Sequence, residues 1–305
     1  MFEREVLRRV REVSATSEHP GRLSLVEFID DFEHDGPEGK HVCLVFELLG
    51  ESVDSQMSDA NRTRLPYPVA KCVTKQVLEA LDFLHNECQV LHTDVQTSNL
   101  LLEGIPRKGK GPSVFRTQDA NIRLNDLGLA CWTEEHLTDR IQPPLLRAPE
   151  ITLDAPWEAG VDVYSVGCLS YYFVTGTLPF PGRPAKDGTW SADDDRLKTV
   201  TNFFGPVPDV VLTNAEKGQD FFDDERKLRR RRSSTLPPLE EVISRSQKRG
   251  SLNLEMPSDE VPVFCDFLRE ALATDPRERK TAKELTDHPW LREPGLSPTE
   301  SSDPR

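Results

Sequence analysis

Leu91-His-Thr-Asp-Val-Gln-Thr-Ser-Asn-Leu-Leu-Leu102 sets an aspartate, Asp94, five residues before an amide, Asn99, and closes on an apolar run that reads as a short strand. A second strand, Ile122-Arg-Leu124, leads into Asn125-Asp-Leu-Gly-Leu-Ala130, which carries Asp126. The linker Gly104–Pro112 lies between the two strands. Upstream, Val69, Cys72, Val73, Gln76, Val77, Ala80, Leu81 and Leu84 trace one face of a long helix, with Pro66 and Pro68 at its start where proline is tolerated. Asp94 and Asn99 thus follow a long helix, and Asp126 follows the next strand. Taken singly, each is a common cap or turn former. Their order and spacing need another explanation.

Phosphoryl transfer requires oxygen ligands for magnesium and an acceptor for the proton of the attacking hydroxyl. An aspartate with an asparagine five residues on, then Asp-x-Gly across a hairpin, meets those needs at one point.

Outward from this centre, Phe2–Arg11 reads as a helix with Val6, Leu7 and Val10 on one stripe. Leu25–Ile29 and His41–Phe46 read as strands joined by the turn His34–Gly39. Val161–Thr175 is apolar all round and predicts a buried helix, and a further helix is expected over Asp193–Phe204, stopping at Gly205-Pro206. The basic run Arg226–Arg232, followed by Ser233-Ser-Thr235, and the polar stretch Ser244–Ser251 read as solvated loops. Asp259–Leu272 and Ala282–Thr286 predict closing helices, and residues 292–305 a disordered tail.

The 305 residues are 36% hydrophobic and 30% charged, as in water-soluble globular proteins. No apolar run reaches the roughly 18 residues of a membrane span, and the first residues do not open a signal peptide. Six widely spaced cysteines without a CxxC pair read as free thiols inside the cell, in cytoplasm or nucleus. The net charge of −14 disfavours a direct nucleic-acid binder and suits basic ligands.

With these residues in hand, the chain resembles the eukaryotic protein kinases from about residue 3 to 291. His92-Thr-Asp94 with Asn99 resembles the catalytic loop and Asp126-Leu-Gly128 the metal-binding motif. Ala148-Pro-Glu150 resembles the end of the activation segment, and Asp162-Val-Tyr-Ser-Val-Gly167 the helix that anchors the catalytic loop. Asp275-Pro-Arg-Glu-Arg279 and His288-Pro-Trp-Leu291 resemble the C-terminal signature. His-Thr-Asp in place of His-Arg-Asp, Asp126–Trp132, His41–Gly50 and Phe221-Phe-Asp-Asp224 are similar to SR-protein kinases. The resemblance implies an α+β kinase fold, with a partial small lobe over 1–50 and a helical large lobe over 51–291. It implies ATP and Mg²⁺ as cofactors, Asp94 as the base, and Asn99 and Asp126 as metal ligands. Phe46, Glu47, Leu49 and Leu101 are then expected around adenine. Glu3, His92, Asp162 and the Glu150–Arg279 pair are expected in structural roles. Thr93, in the place of an arginine that would bind a phosphate on the activation segment, implies that no such phosphate is needed.

The departures set two further expectations. Gln96 replaces the lysine that most kinases keep two residues after the base, a loss on the order of 10²–10³ in rate by analogy with lost oxyanion donors. The Gly-rich loop, the strand lysine that Glu3 would pair with and three strands have no counterpart. Either residues 1 to about 50 lean on the large lobe as a partly disordered flap or, the preferred reading, the chain is a truncated gene product. Asp193-Asp-Asp195 resembles the acidic helix start with which SR-protein kinases grip basic substrates, and Asp195 is the weak docking candidate, Asn202 standing where a second acid is expected. Arg229–Arg232 with Ser233-Ser234 also fits a phosphorylation site or a pseudosubstrate. Two functions follow: a serine/threonine kinase acting on basic proteins, Arg/Ser-rich ones among them, or an impaired or truncated kinase that serves as a binding module.

Overall fold

In the computed structural model, which describes residues 2–59, 64–104, 120–231, 236–247 and 256–292, the chain opens on helix α1 (Phe2–Ser14). Its expected stripe of Val6, Leu7 and Val10 is buried. Arg8 fixes the helix to the following strand by two hydrogen bonds to Asp31, at 3.0 and 2.9 Å, and Arg4 pairs with the same carboxylate. Strands β1 (Phe28–Gly36) and β2 (Gly39–Phe46) form an antiparallel hairpin from Phe28 opposite Phe46 to Gly36 opposite Gly39.

This corrects two expectations. The first strand begins later than Leu25, because Leu25 bridges to Leu124 and the Val26 N–H donates to the Leu124 carbonyl at 3.0 Å. That dipeptide belongs to the packing against the rest of the chain. The expected turn also shrinks to Pro37-Glu38, with Gly39 at φ 116° closing it, a conformation that favours glycine. Ile29, Phe32 and Val42 of the hairpin stay exposed.

A short helix not foreseen in the sequence, α2 (Val53–Asp59), precedes the long α3 (Tyr67–Asp82). A wide turn over Phe83–Cys88 then leads to β3 (Val90–Leu91), and β4 (Leu100–Leu102) pairs antiparallel with β5 (Ile122–Leu124), Leu100 opposite Leu124. β6 (Cys131–Trp132) pairs with β3. The short α4 (Pro149–Thr152) precedes α5 (Gly160–Thr175), in which every residue but Gly160 and Tyr172 is buried. Lacking a polar face, α5 can only be a central helix.

Beyond it come α6 (Ala192–Phe204), α7 (Asp209–Thr213), α8 (Gly218–Phe221), α9 (Leu239–Gln247), α10 (Val261–Ala271) and α11 (Ala282–Thr286). The main apolar core is continuous from Val6 to Leu291, and a smaller one joins Leu153 to the region of α6–α8.

Of the two stretches read as solvated loops, the described residues pack against the rest of the chain. α9 takes in the start of Ser244–Ser251, because Leu239 and Ile243, one helical turn apart, are buried in the core. Of the basic run, Leu228 is buried and the Arg229 Nε donates to the Gln219 and Phe222 carbonyls, both at 2.9 Å. Residues 105–119, 232–235 and 248–251, which take in parts of the expected linker and loops, and the tail from 293 lie outside the described residues.

All six cysteines are free, as expected. Burial pushes the thiols of Cys88, Cys131 and Cys265 up to about 12, which leaves them inert. Among the described residues no helix is long and apolar enough to cross a membrane.

Candidate active site

The site is built on Asp162, a fully buried carboxylate near the start of α5. Its Oδ2 accepts from the His92 N–H at 2.8 Å and from the His85 Nε2 at 2.9 Å, and its Oδ1 from the Thr93 N–H at 2.7 Å. Burial pushes the Asp162 carboxyl up, but the His85 hydrogen bond and the neighbouring imidazoles outweigh that and hold it below the usual carboxylate range. The anion is therefore kept, and it fixes the backbone directly before Asp94.

Thr93 sits at φ 65°, which is costly for a β-branched residue and persists only where neighbours over-determine it. Three contacts do so. Asp162 takes its N–H, its Oγ1 donates to the Leu129 carbonyl at 2.7 Å, and its carbonyl accepts from the Gln142 N–H at 3.0 Å. Thr93 thus joins the catalytic loop to the segment 129–142 at both ends.

Gln142 is itself buried at φ 60°. Its Nε2 donates to the Val161 carbonyl at 2.7 Å and to Ser165 Oγ at 2.9 Å, while its Oε1 accepts from the Ala148 N–H at 3.0 Å. Sequence reasoning missed both Gln142 and His85. The one available signal for Gln142 was a lone amide between Ile141 and Pro143-Pro144.

His92 links the two halves of the centre. The Asn125 carbonyl can only accept, so His92 Nε2 carries the proton at 3.1 Å, and its Nδ1 accepts from the Asp94 N–H at 3.3 Å. The Asn125 N–H in turn donates to the Asn99 carbonyl at 2.8 Å. Asp94, Asn99 and Asp126 are thereby tied into one cluster.

Within it, Gln96 Nε2 donates to both oxygens of Asp94, at 2.9 and 2.8 Å, and Asn99 Nδ2 donates to Asp94 Oδ2 at 3.1 Å and to the Asp94 carbonyl at 2.9 Å. With its amide nitrogen so committed, Asn99 turns its Oδ1 the other way, where it accepts from Ser98 Oγ at 3.3 Å and keeps a second lone pair. Asp126, at φ 68°, spends Oδ1 on the Gly128 N–H at 3.2 Å and keeps Oδ2. An amide oxygen and a carboxylate oxygen without sulfur or imidazole form a donor set that fits Mg²⁺.

Glu3 of α1 reaches the same place, its carboxylate lying beside Gly128. Burial and the charge of Asp126 raise its pKa. Of the residues expected around adenine, Leu49 is buried, Leu101 is half-buried on β4, and Phe46 is half-buried with its ring 5.8 Å from that of Phe28. The Glu47 side chain is occupied elsewhere, accepting from the Glu27 N–H at 2.8 Å and pairing with Arg123 at 3.3 Å.

The Glu150–Arg279 pair is formed and buried, with Nη1–Oε1 at 2.6 Å and Nη2–Oε2 at 3.1 Å. The guanidinium also serves the Gly160 and Ala273 carbonyls and lies over the Tyr164 ring. Asp195 is turned inward, only 2% exposed, with Oδ2 accepting from the Arg183 N–H at 2.8 Å. The more exposed acid of that trio is Asp193, which pairs with Arg196.

Comparison with known proteins gives the family. The protein kinase domain family matches residues 3–291. A serine/threonine-protein kinase SRPK from Physarum polycephalum is 28% identical, over 88% of this chain and 71% of the relative. Protein kinase dsk1 from Schizosaccharomyces pombe is 22% identical, over 94% and 72%. Serine/threonine-protein kinase SKY1 from Saccharomyces cerevisiae is 33% identical, over 60% and 26%.

Proposed function

The chain belongs to the protein kinase family, and from that premise we propose that it transfers the γ-phosphoryl group of ATP to serine or threonine of basic proteins, Arg/Ser-rich ones among them. The observation that carries this reading is the convergence of Asp94, Asn99 and Asp126 around His92. Asp94, held by two side-chain amides, orients the acceptor hydroxyl and takes its proton as the new O–P bond forms and the bond to the β-phosphate oxygen breaks, releasing ADP. Asn99 Oδ1 and Asp126 Oδ2 would hold Mg²⁺, which supplies positive charge to the phosphate oxygens. Phe46, Leu49 and Leu101 offer adenine an apolar seat. Because Thr93 and Gln142 already tie the activation segment to the catalytic loop, no phosphate on that segment is required.

One observation favours the second reading, a kinase-fold binding module. Glu3 faces Asp126, and among the described residues no lysine or arginine pairs with it. A single experiment separates the two. The chain is incubated with Mg-ATP and an Arg/Ser peptide, and its thermal stability is followed in parallel. The kinase reading expects peptide phosphorylation that Asp94→Ala abolishes and a Mg-ATP stabilisation that Asp126→Ala abolishes. Absence of phosphorylation, with or without stabilisation, refutes the kinase reading and supports the binding module.

A further inference from the structure

Beside His85 lies a cavity of about 450 Å³, within the size range of small-molecule sites. Its wall combines an apolar part, formed by Trp157, Val163, Val210, Val211 and Pro276, with polar and charged groups. Three of its lining residues reach the catalytic machinery directly. His85 donates to Asp162, Arg279 holds Glu150, and Trp157 stacks on His136 of the activation segment with ring centroids 3.7 Å apart.

The charges on the lining decide the ligand. Asp275 is committed to Arg277, accepting from its Nε at 3.0 Å and its Nη2 at 2.7 Å, and Arg279 is committed to Glu150. Arg277 Nη1 and the Lys280 amine keep donor capacity, the latter holding only an exposed contact to Glu284 at 3.3 Å. Glu158 is the opposing carboxylate.

We propose that this cavity is an effector site for a small aromatic carboxylate, its ring against Trp157 and its anion on Lys280 and Arg277. Occupation braces His136 and His85, and so stiffens the activation segment and the catalytic loop. The inference concerns binding and does not depend on the chain being an active kinase.

The test is calorimetric titration of the chain with 2-naphthoate, together with hydrogen exchange over residues 129–147. Saturable one-to-one binding is expected, with Kd on the order of 0.1–1 mM for a ligand of that size. Lys280→Glu and Val210→Trp, both at exposed side chains, should each weaken it at least tenfold while leaving the melting temperature in place. 2-Naphthalenemethanol should bind more weakly than the carboxylate, and 2-naphthylmethylamine more weakly still. Exchange over 129–147 should slow on binding. Absence of saturable binding, unchanged affinity in both variants, or tighter binding of the amine overturns the site. Binding that leaves exchange unaltered overturns the effector role.

Discussion

Asp94 receives three side-chain N–H contacts from Gln96 and Asn99, and none of those donors carries a charge. Gln96 therefore positions the base as a lysine would, but adds nothing to the neutralisation of a phosphate beside it. Gln96→Lys is expected to raise the preference for Mg-ATP over Mg-ADP by roughly tenfold, the effect of one added cation near a phosphate at intermediate effective dielectric. Competition binding with the two nucleotides measures it, and an unchanged ratio would place the γ-phosphate away from Gln96. Arg279 makes the opposite case, since its charge is matched and sealed from water. Arg279→Ala should cost about 3–5 kcal/mol, because Glu150 is left buried and uncompensated. A denaturation midpoint equal to that of the parent would mean that the pair contributes no net stability. Glu150 and Arg279 were readable as partners from motif resemblance. Gln142 was not, because nothing local in the sequence tells a buried amide that bridges two elements from one in a solvated loop.

Among the elements, the turn after α1 shows how a short segment sets the position of a helix. Gly21 lies so close to α3 that a Cβ there would stand 1.8 Å from the Glu79 carbonyl oxygen, a backbone atom that cannot swing aside. His19 locks the same contact, its Nε2 donating to Asp82 at 2.9 Å while Nδ1 accepts from the Gly21 N–H at 3.0 Å. Gly21→Ala should destabilise the chain by at least about 1–3 kcal/mol, the usual cost of overpacking, and lift α1 from its seat. A lowered melting temperature with faster hydrogen exchange in α1 is the expected result. A melting temperature equal to that of the parent would refute the close contact. α1, α3, α5, α6, α10 and α11 were all legible, since their apolar spacing or their capping and stop residues survive in the one-dimensional pattern. α2 and α9 were not, because seven and nine residues with mixed polarity carry too little periodicity to stand out.

At the scale of the whole molecule, a charge of −14 gives the surface a negative field that draws basic peptides and weakens as salt screens it. The KM for an Arg/Ser peptide should therefore rise several-fold between roughly 0.05 and 0.3 M salt, with kcat little changed. A KM insensitive to salt would leave the basic-substrate reading without electrostatic support. With Asp195 turned inward, that attraction has to come from the summed surface charge and from more exposed acids such as Asp193.

The sequence by itself gave away the order of helices and strands around Asp94 and the spacing of Asp94, Asn99 and Asp126 as oxygen-bearing groups, whereas the pairing of Glu150 with Arg279 was implied only by resemblance to a family. The order and the spacing are local in pattern, so a single strand of letters retains them. Only the tertiary structure decided that Thr93 bonds to both Leu129 and Gln142, that Asp195 faces the interior, that Glu3 stands beside Asp126, and that a cavity lies beside His85. Each of these depends on segments apart in sequence meeting in space, and the direction in which a side chain points there is settled by what packs against it.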